Sequence, residues 1–300
     1  MSGGVPLFSV IIPTFQRPER LLRCVRALLA QSFAEPFEII VVNDGGPELP
    51  ELPTPGRNGI TLQLLRQQNS GPATARNLGA SVARGHLLAF TDDDCEPEPG
   101  WLTALHATLA ADPETMAGGH TVNALTANLW SEASQLLVDF LYEFYVEDGV
   151  PHFFTSNNFA LERDAFLQAG GFSARFPLAA AEDREFCTRW RTGGGRMTLT
   201  PGAVIRHYHH LTPLAFLHQH FRYGRGAWQF RKNLPEDEVS GTRIEPLRFY
   251  LDLIGYPLRK DRLPLLARVA CQAMLLAAQA VNAAGFFYEA LFAPSRVSVK

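Results

Sequence analysis

Three apolar runs, Phe8–Ile12, FEIIVVND ending at Asp44, and HLLAF ending at Phe90, alternate with stretches of helical spacing. Short β-branched and aliphatic runs bounded by Pro, Asp or Gly read as strands buried on both faces. After the first run, Leu21, Leu22, Val25, Leu28 and Leu29 recur at the three-to-four spacing of one helix face. Residues 45–59 form a Gly/Pro-rich loop, and ITLQLLRQ reads as a further strand. GPATARNLGASVARG reads as a helix with Pro72 in its first turn. This alternation predicts an α/β fold, with a mainly parallel sheet flanked by helices.

Beyond Trp101 the order is less regular. The spacing predicts a helix over 99–111, a strand near Met116–Asn123, and a helix from Leu129 to Val146. HFFTSNNFALERDAF reads as a strand running into a helix. Glu182–Arg191 reads as a helix closed by Gly193–Gly195, RMTLTPGAVIRHYHH is extended, and the chain from Thr212 on is helical. A length of 300 residues fits one large domain, or one domain with an appendage.

The formal net charge of −3 gives the whole molecule no polyanion-binding character, so nucleic acid is not expected as a partner. Cys24, Cys95, Cys187 and Cys271 are scattered, with no CxxC pair. That argues against a structural zinc or a disulfide framework and suits a reducing, cytoplasmic setting. FSVIIPTF is too short, and too interrupted by Pro13, to act as a signal peptide.

The segment LLAFTDDDCEPEPGW places Asp92, Asp93, Asp94, Glu96 and Glu98 just past a strand. Open α/β sheets bind ligands outside the carboxyl ends of their strands, where Asp44 and Asp92–Asp94 both fall. In an extended segment Asp92 and Asp94 point to the same side. Two converging carboxylates suit Mg²⁺ or Mn²⁺, hard ions that share oxygen ligands with phosphates. The alternative is a solvated turn whose acids cap the next helix, and Glu96 and Glu98 are read as such helix-entry acids.

SVIIPTFQRPERLLRCVRALLAQSF, FEIIVVNDGG, NSGPATARNLGA and LLAFTDDDCEP occur in this order and spacing. Together they resemble the nucleotide-sugar half of family-2 glycosyltransferases, which have the GT-A fold. The resemblance continues through TSNNFALERDAFLQAGGF, AAAEDREFCTRW and VIRHYHHLTPLAFLHQHFRYGRG. It covers roughly residues 7–230 and implies a glycosyltransferase domain over 1–230, with a nucleotide-sugar half to about 115 and an acceptor half beyond. A helical extension would fill 231–300.

The same resemblance implies the site. Pro13, Thr14 and Phe15 would wall the base pocket, and Asp44 would bond the base edge. Arg17 or Arg20 would reach a phosphate. Arg76 and Asn77 would lie near the nucleotide, Asp92 and Asp93 would belong to the donor site, and Asp92 would touch the ribose. Asp94 would ligate the Mg²⁺ or Mn²⁺, with His207 beside it. Asp183 of the Glu182-Asp183 motif would be the general base, because a sugar hydroxyl is a weak nucleophile until its proton is taken. Asn158, Arg222 and Arg225 would serve the acceptor or diphosphate. The implied activity is metal-dependent, inverting transfer from a nucleotide-diphospho-sugar, UDP-linked, to a hydroxyl of a glycan or lipid-linked acceptor. A sugar-nucleotide pyrophosphorylase would instead show a glycine-rich loop where PTFQRPER stands. A scaffold without catalysis fits poorly with both acid motifs being present.

Val269–Tyr288 carries no charge, and 222–268 holds ten Arg/Lys against six Asp/Glu. That pairing suits peripheral contact with an anionic membrane, at the inner face of the cell membrane for a cytoplasmic protein. A membrane span and a packed core or dimer helix stay open as alternatives.

Overall fold

The computed structural model describes residues 5–56, 59–176, 180–233 and 245–292. The chain divides into two compact units, one of Met1–Ala124 and Leu141–His209, the other of Leu125–Phe140 and His210–Lys300. The boundary expected at 230 falls inside a helix, Pro213–Asn233.

The first unit runs β1 (Phe8–Thr14), α1 (Pro18–Leu29), β2 (Phe37–Asp44), β3 (Ile60–Gln67), α2 (Pro72–Val82), β4 (Leu87–Phe90), β5 (Cys95–Pro97), α3 (Trp101–Ala111) and β6 (Thr115–Asn123). After α4 (Leu129–Phe144), which is divided between the units, come β7 (Val146–Glu147), β8 (Val150–Pro151), β9 (Phe159–Glu162), α5 (Arg163–Gln168), α6 (Glu182–Thr192) and β10 (Arg196–His207). Eight strands form one sheet in the order β3-β2-β1-β4-β9-β6-β10-β5, and β7 and β8 pair separately. The strands β3, β2, β1 and β4 are parallel. β9 enters antiparallel between β4 and β6, β10 lies parallel to β6, and β5 is antiparallel on β10.

The sequence explains the central strands directly. β1 and β2 are buried at every residue, as continuous apolar strands covered on both faces must be. Side chains alternate between faces. Phe8, Val10 and Ile12 pack with Leu21, Val25 and Leu28 of α1 and Trp101 and Leu105 of α3, whereas Ile11 packs on the α2 side. Gly79 lets α2 approach that side closely, since a Cβ there would stand 2.6 Å from Ile11 Cγ2.

A phenylalanine cluster then ties β4, β9, α5 and α6 together. Phe90 lies 5.2 Å from Phe159, 5.1 Å from Phe166 and 5.4 Å from Phe172, and Phe186 of α6 lies 5.2 Å from Phe166. Each ring contributes about 1.5–3 kcal/mol by leaving water. Phe90 precedes Asp92 by two residues and Phe186 follows Glu182 by four. The cluster therefore sets the distance between the two acid motifs.

Two expectations are corrected here. Residues 93 and 94 form a turn, so the period-two geometry expected for Asp92 and Asp94 does not apply. Glu96 and Glu98 do not enter a helix. Glu96 lies in β5 and pairs with Arg23 at 3.2 Å, Glu98 pairs with Arg206, and α3 starts only at Trp101.

The second unit contains the first part of α4, α7 (Pro213–Asn233), α8 (Leu247–Gly255), a 3₁₀ turn at Tyr256–Arg259 and α9 (Leu265–Phe292). α7 and α9 meet at two glycines: a Cβ on Gly224 would stand 1.9 Å from the Asn282 carbonyl oxygen, and one on Gly285 2.1 Å from that of Phe221. Arg225 donates to Glu289 (2.6 Å) across the same pair, and the fully buried Glu132 pairs with Arg262 at 2.8 Å.

α9 buries Cys271, Leu275, Ala278, Gly285 and Glu289, which share one face. The opposite face is apolar as well. Leu266, Val269, Leu276, Phe287 and Leu291 fall within about 80° of one another at 100° per residue, and all are at least half exposed. Only 22% of the most apolar stretch of α9 is buried, and among the described helices it alone has the length and composition to cross a membrane.

Candidate active site

The acid cluster sits where β4 ends, and each aspartate meets a different set of donors. Asp92 is half-buried and accepts from Arg76 Nη2 at 2.6 Å. Buried Asp93 accepts from the Thr14 hydroxyl at 2.7 Å and from Arg17 Nη1 at 3.3 Å. Burial, followed by the charge of Asp94, pushes its carboxyl up to about 6, against Arg17 and Thr14. Asp94 is buried too, which by itself would raise its carboxyl. His207, Arg17 and Arg20 outweigh burial and hold it well below the usual range. His207 Nε2 lies 3.2 Å from one oxygen, and Arg17 and Arg20 lie 3.2 and 3.1 Å from the other.

The β5–β10 pairing brings His207 to this place, with His207 opposite Cys95 in register. His209 stacks on His207, 4.0 Å between ring centroids. Burial and the neighbouring His207 lower its pKa to about 3, so it is neutral. Asp94, Cys95 and His207 offer ligand atoms all within 4.8 Å of one another. Cys95 was missed in the sequence, and burial with nearby Asp94 holds its thiol protonated. A protonated, soft sulfur is a poor ligand for Mg²⁺ or Mn²⁺, whereas the Asp94 carboxylate is the hard oxygen donor these ions take, and His207 adds a nitrogen beside it. The donor set therefore fits the expected metal through Asp94 and His207.

Glu182 and Asp183 open α6, after Ala181 with a φ of 70°. Anions are favoured at a helix N-terminus, but burial works against them here. Burial and the adjacent Asp183 raise Glu182 to about 7, against the pull of Arg76. Burial also raises Asp183, opposed by N–H bonds from Arg184 and Ser156 and by Arg76. Arg76 Nη1 reaches Glu182 Oε1 at 3.3 Å. One buried guanidinium thus touches both acid motifs.

The remaining predicted residues divide. Pro13 and Thr14 are buried at the end of β1, and Phe15 is 41% exposed just beyond, so it is not core. Asp44 is buried and accepts from Gln67 Nε2 and from the N–H groups of Ser70 and Gly71 at 2.7–2.9 Å, which anchors the start of α2. The Asn77 amide donates to the Phe172 carbonyl (2.7 Å) and accepts from the Phe172 N–H (2.9 Å), so it latches the chain after α5. Asn158 is wholly buried, accepts from Trp101 Nε1 (2.8 Å) and donates to the Ala203 carbonyl (3.1 Å), so it is a strut inside the sheet. Arg222 and Arg225 lie on α7 in the second unit, where Arg225 is held by Glu289.

Known proteins share the fold that carries this site. The glycosyl transferase family 2 model matches residues 9–170. A glucosyl-dolichyl phosphate glucuronosyltransferase of Haloferax volcanii is 30% identical over 174 residues, covering 55% of each chain. The chain thus spans about half the length of that curated relative. A mannosyltransferase of Pyrobaculum calidifontis, solved with GDP-Man and Mn²⁺, superposes with a TM-score of 0.62 at 16% identity, covering 96% of this chain and 88% of the other. A structure holding UDP, GalNAc and Mn²⁺ gives 0.52 at 15% identity over 86% and 58%. These likenesses establish the GT-A fold.

Proposed function

The chain belongs to glycosyl transferase family 2, and from that membership we propose that it moves a sugar from a UDP-linked donor to an acceptor hydroxyl with inversion. The observation that carries the reading is the approach of two acid motifs, Asp92–Asp94 and Glu182-Asp183, joined by Arg76. Transfer needs a site for a diphosphate and a base for the acceptor, and strand ends in such sheets are where ligands lie.

Asp94 and His207 would hold the divalent ion, Mn²⁺ or Mg²⁺, which when bound acts as a Lewis acid toward the diphosphate. Phe15, with Pro13 and Thr14 behind it, borders the base, and Asp44 offers its one remaining lone pair, on Oδ2, to the base edge. Asp92 faces the ribose. Arg17, exposed beside Asp93 and Asp94, supplies a guanidinium for phosphate oxygens. Asp183 takes the proton of the acceptor hydroxyl as the oxygen attacks opposite the leaving diphosphate. The acceptor is a glycan or lipid-linked hydroxyl. The outward apolar face of α9 supports peripheral contact with the inner face of a membrane.

The test is release of nucleoside diphosphate from a panel of nucleotide-sugars with Mn²⁺ and candidate acceptors. UDP release that depends on Asp183 supports the reading. Release of pyrophosphate from UTP and a sugar phosphate would replace it with nucleotidyl transfer.

A further inference from the structure

Arg76 lies one turn into α2 and is 2% exposed, an unusual place for a guanidinium. One terminal nitrogen is 2.6 Å from Asp92 and the other 3.3 Å from Glu182. The Phe172 ring lies 5.5 Å away, within the aromatic cluster, and Nε has no partner among the described residues. Its partners are therefore fixed to two acids on two elements. A residue that only bound the donor would not need both terminal nitrogens committed inside the protein.

We propose that Arg76 is the positioning residue of the acid pair: it ties Glu182 at the start of α6 to Asp92 at the end of β4 and is the counter-charge shared by Glu182 and Asp183. The inference rests on the reading of Asp183 as the base. The charged and titratable groups facing the pair are Arg76 from α2, Asp92 from the end of β4, Arg184 and Cys187 from α6, and Tyr142 from α4. Arg184 donates its N–H to Asp183 but turns its guanidinium to the Tyr145 hydroxyl (3.0 Å). Arg76 reaches Glu182 directly at 3.3 Å, and its charge also acts on Asp183. The planar fork matters as much as the charge, because a lysine ammonium is a single point and cannot hold both acids in this spacing.

The test follows the carboxyl titrations of Glu182 and Asp183 in the full chain, by ¹³C NMR of labelled Asp and Glu, with signals assigned by their loss in Glu182→Gln and Asp183→Asn. Removing an opposite charge in contact raises a carboxyl by about 1–3 pH units. Arg76→Met is expected to move the pair's midpoint up by that amount, and Arg76→Lys to restore only part of it, because its single ammonium cannot reach both acids. Arg76→Gln, which keeps polar atoms toward both acids, gives the same readout if Arg76→Met does not fold. Calorimetry with UDP and Mn²⁺ runs alongside. Unmoved midpoints in the neutral variants overturn the proposal, and unmoved midpoints with lost UDP affinity would make Arg76 a donor ligand instead. Failure of the base reading is separate: Asp183→Asn would then keep full transfer while the titration result stands.

Discussion

Glu182 should make the protein less stable as pH rises. Its carboxyl is raised from 4.5 to about 7 in the folded chain, first by burial and then by Asp183. Folding therefore favours the protonated form. The stabilisation is fully present below the unfolded value near 4.5 and is lost as pH climbs through about 7. At 1.36 kcal/mol per pH unit, that interval corresponds to about 3 kcal/mol. Glu182→Gln keeps the shape of the protonated acid and removes the titration. Urea unfolding near pH 4.5 should show variant and wild type within about 1 kcal/mol of each other. Near pH 8.5 the variant should be more stable, by up to about 3 kcal/mol. An equal difference at both pH values, or a variant destabilised only at high pH, would refute the reasoning. Glu182 would then be held ionised by Arg76 at a net gain.

Asp183→Asn should lower transfer by about 10²–10⁴ with UDP binding kept, and Glu182→Gln should cost less, both read from initial rates. EDTA or Asp94→Ala should weaken UDP binding in calorimetry, while EDTA leaves the melting temperature unchanged. Asn158→Ala strands the Trp101 N–H and the Ala203 carbonyl and should cost about 2–5 kcal/mol in urea unfolding, with transfer per folded molecule retained. Leu276→Glu with Phe287→Glu on the outward face of α9 should abolish co-sedimentation with anionic vesicles. Undiminished binding would point away from that face.

Local period made β1, β2, β4 and α1 legible, because a strand covered on both faces and a one-sided helix each show themselves within a dozen residues. The strand-end acids stood out by their position after β4, whereas the Glu182-Asp183 pair was singled out only by the family resemblance. β5 was not, since three residues carry no period and their partner β10 lies about a hundred residues on. Cys95 stayed hidden with it: nothing local says that it will stand opposite His207. The partners of Asn77 and Asn158 were illegible for a different reason. Each sits in a motif-like setting, but its role is decided by one distant group, the Phe172 backbone or the Trp101 indole. The second unit was blurred because it takes residues 125–140 from the middle of the chain.

Three consecutive aspartates repel, and the sequence pointed to a cation as their counter-charge. In the folded chain much of that charge is protein. Asp92 has Arg76, Asp93 shares Arg17 with Asp94, and Asp94 adds Arg20. The burial penalty of these acids is thus offset in part by arginines from α1 and α2. The same pairing accounts for an oddity of α1. Arg17 caps that helix and Arg20 stands in its first turn, where the macrodipole disfavours positive charge by about 0.3–1 kcal/mol. Two arginines placed against the dipole make sense only if something anionic lies beyond the helix end. Asp93 and Asp94 are that anion here, and a nucleoside diphosphate would be the next.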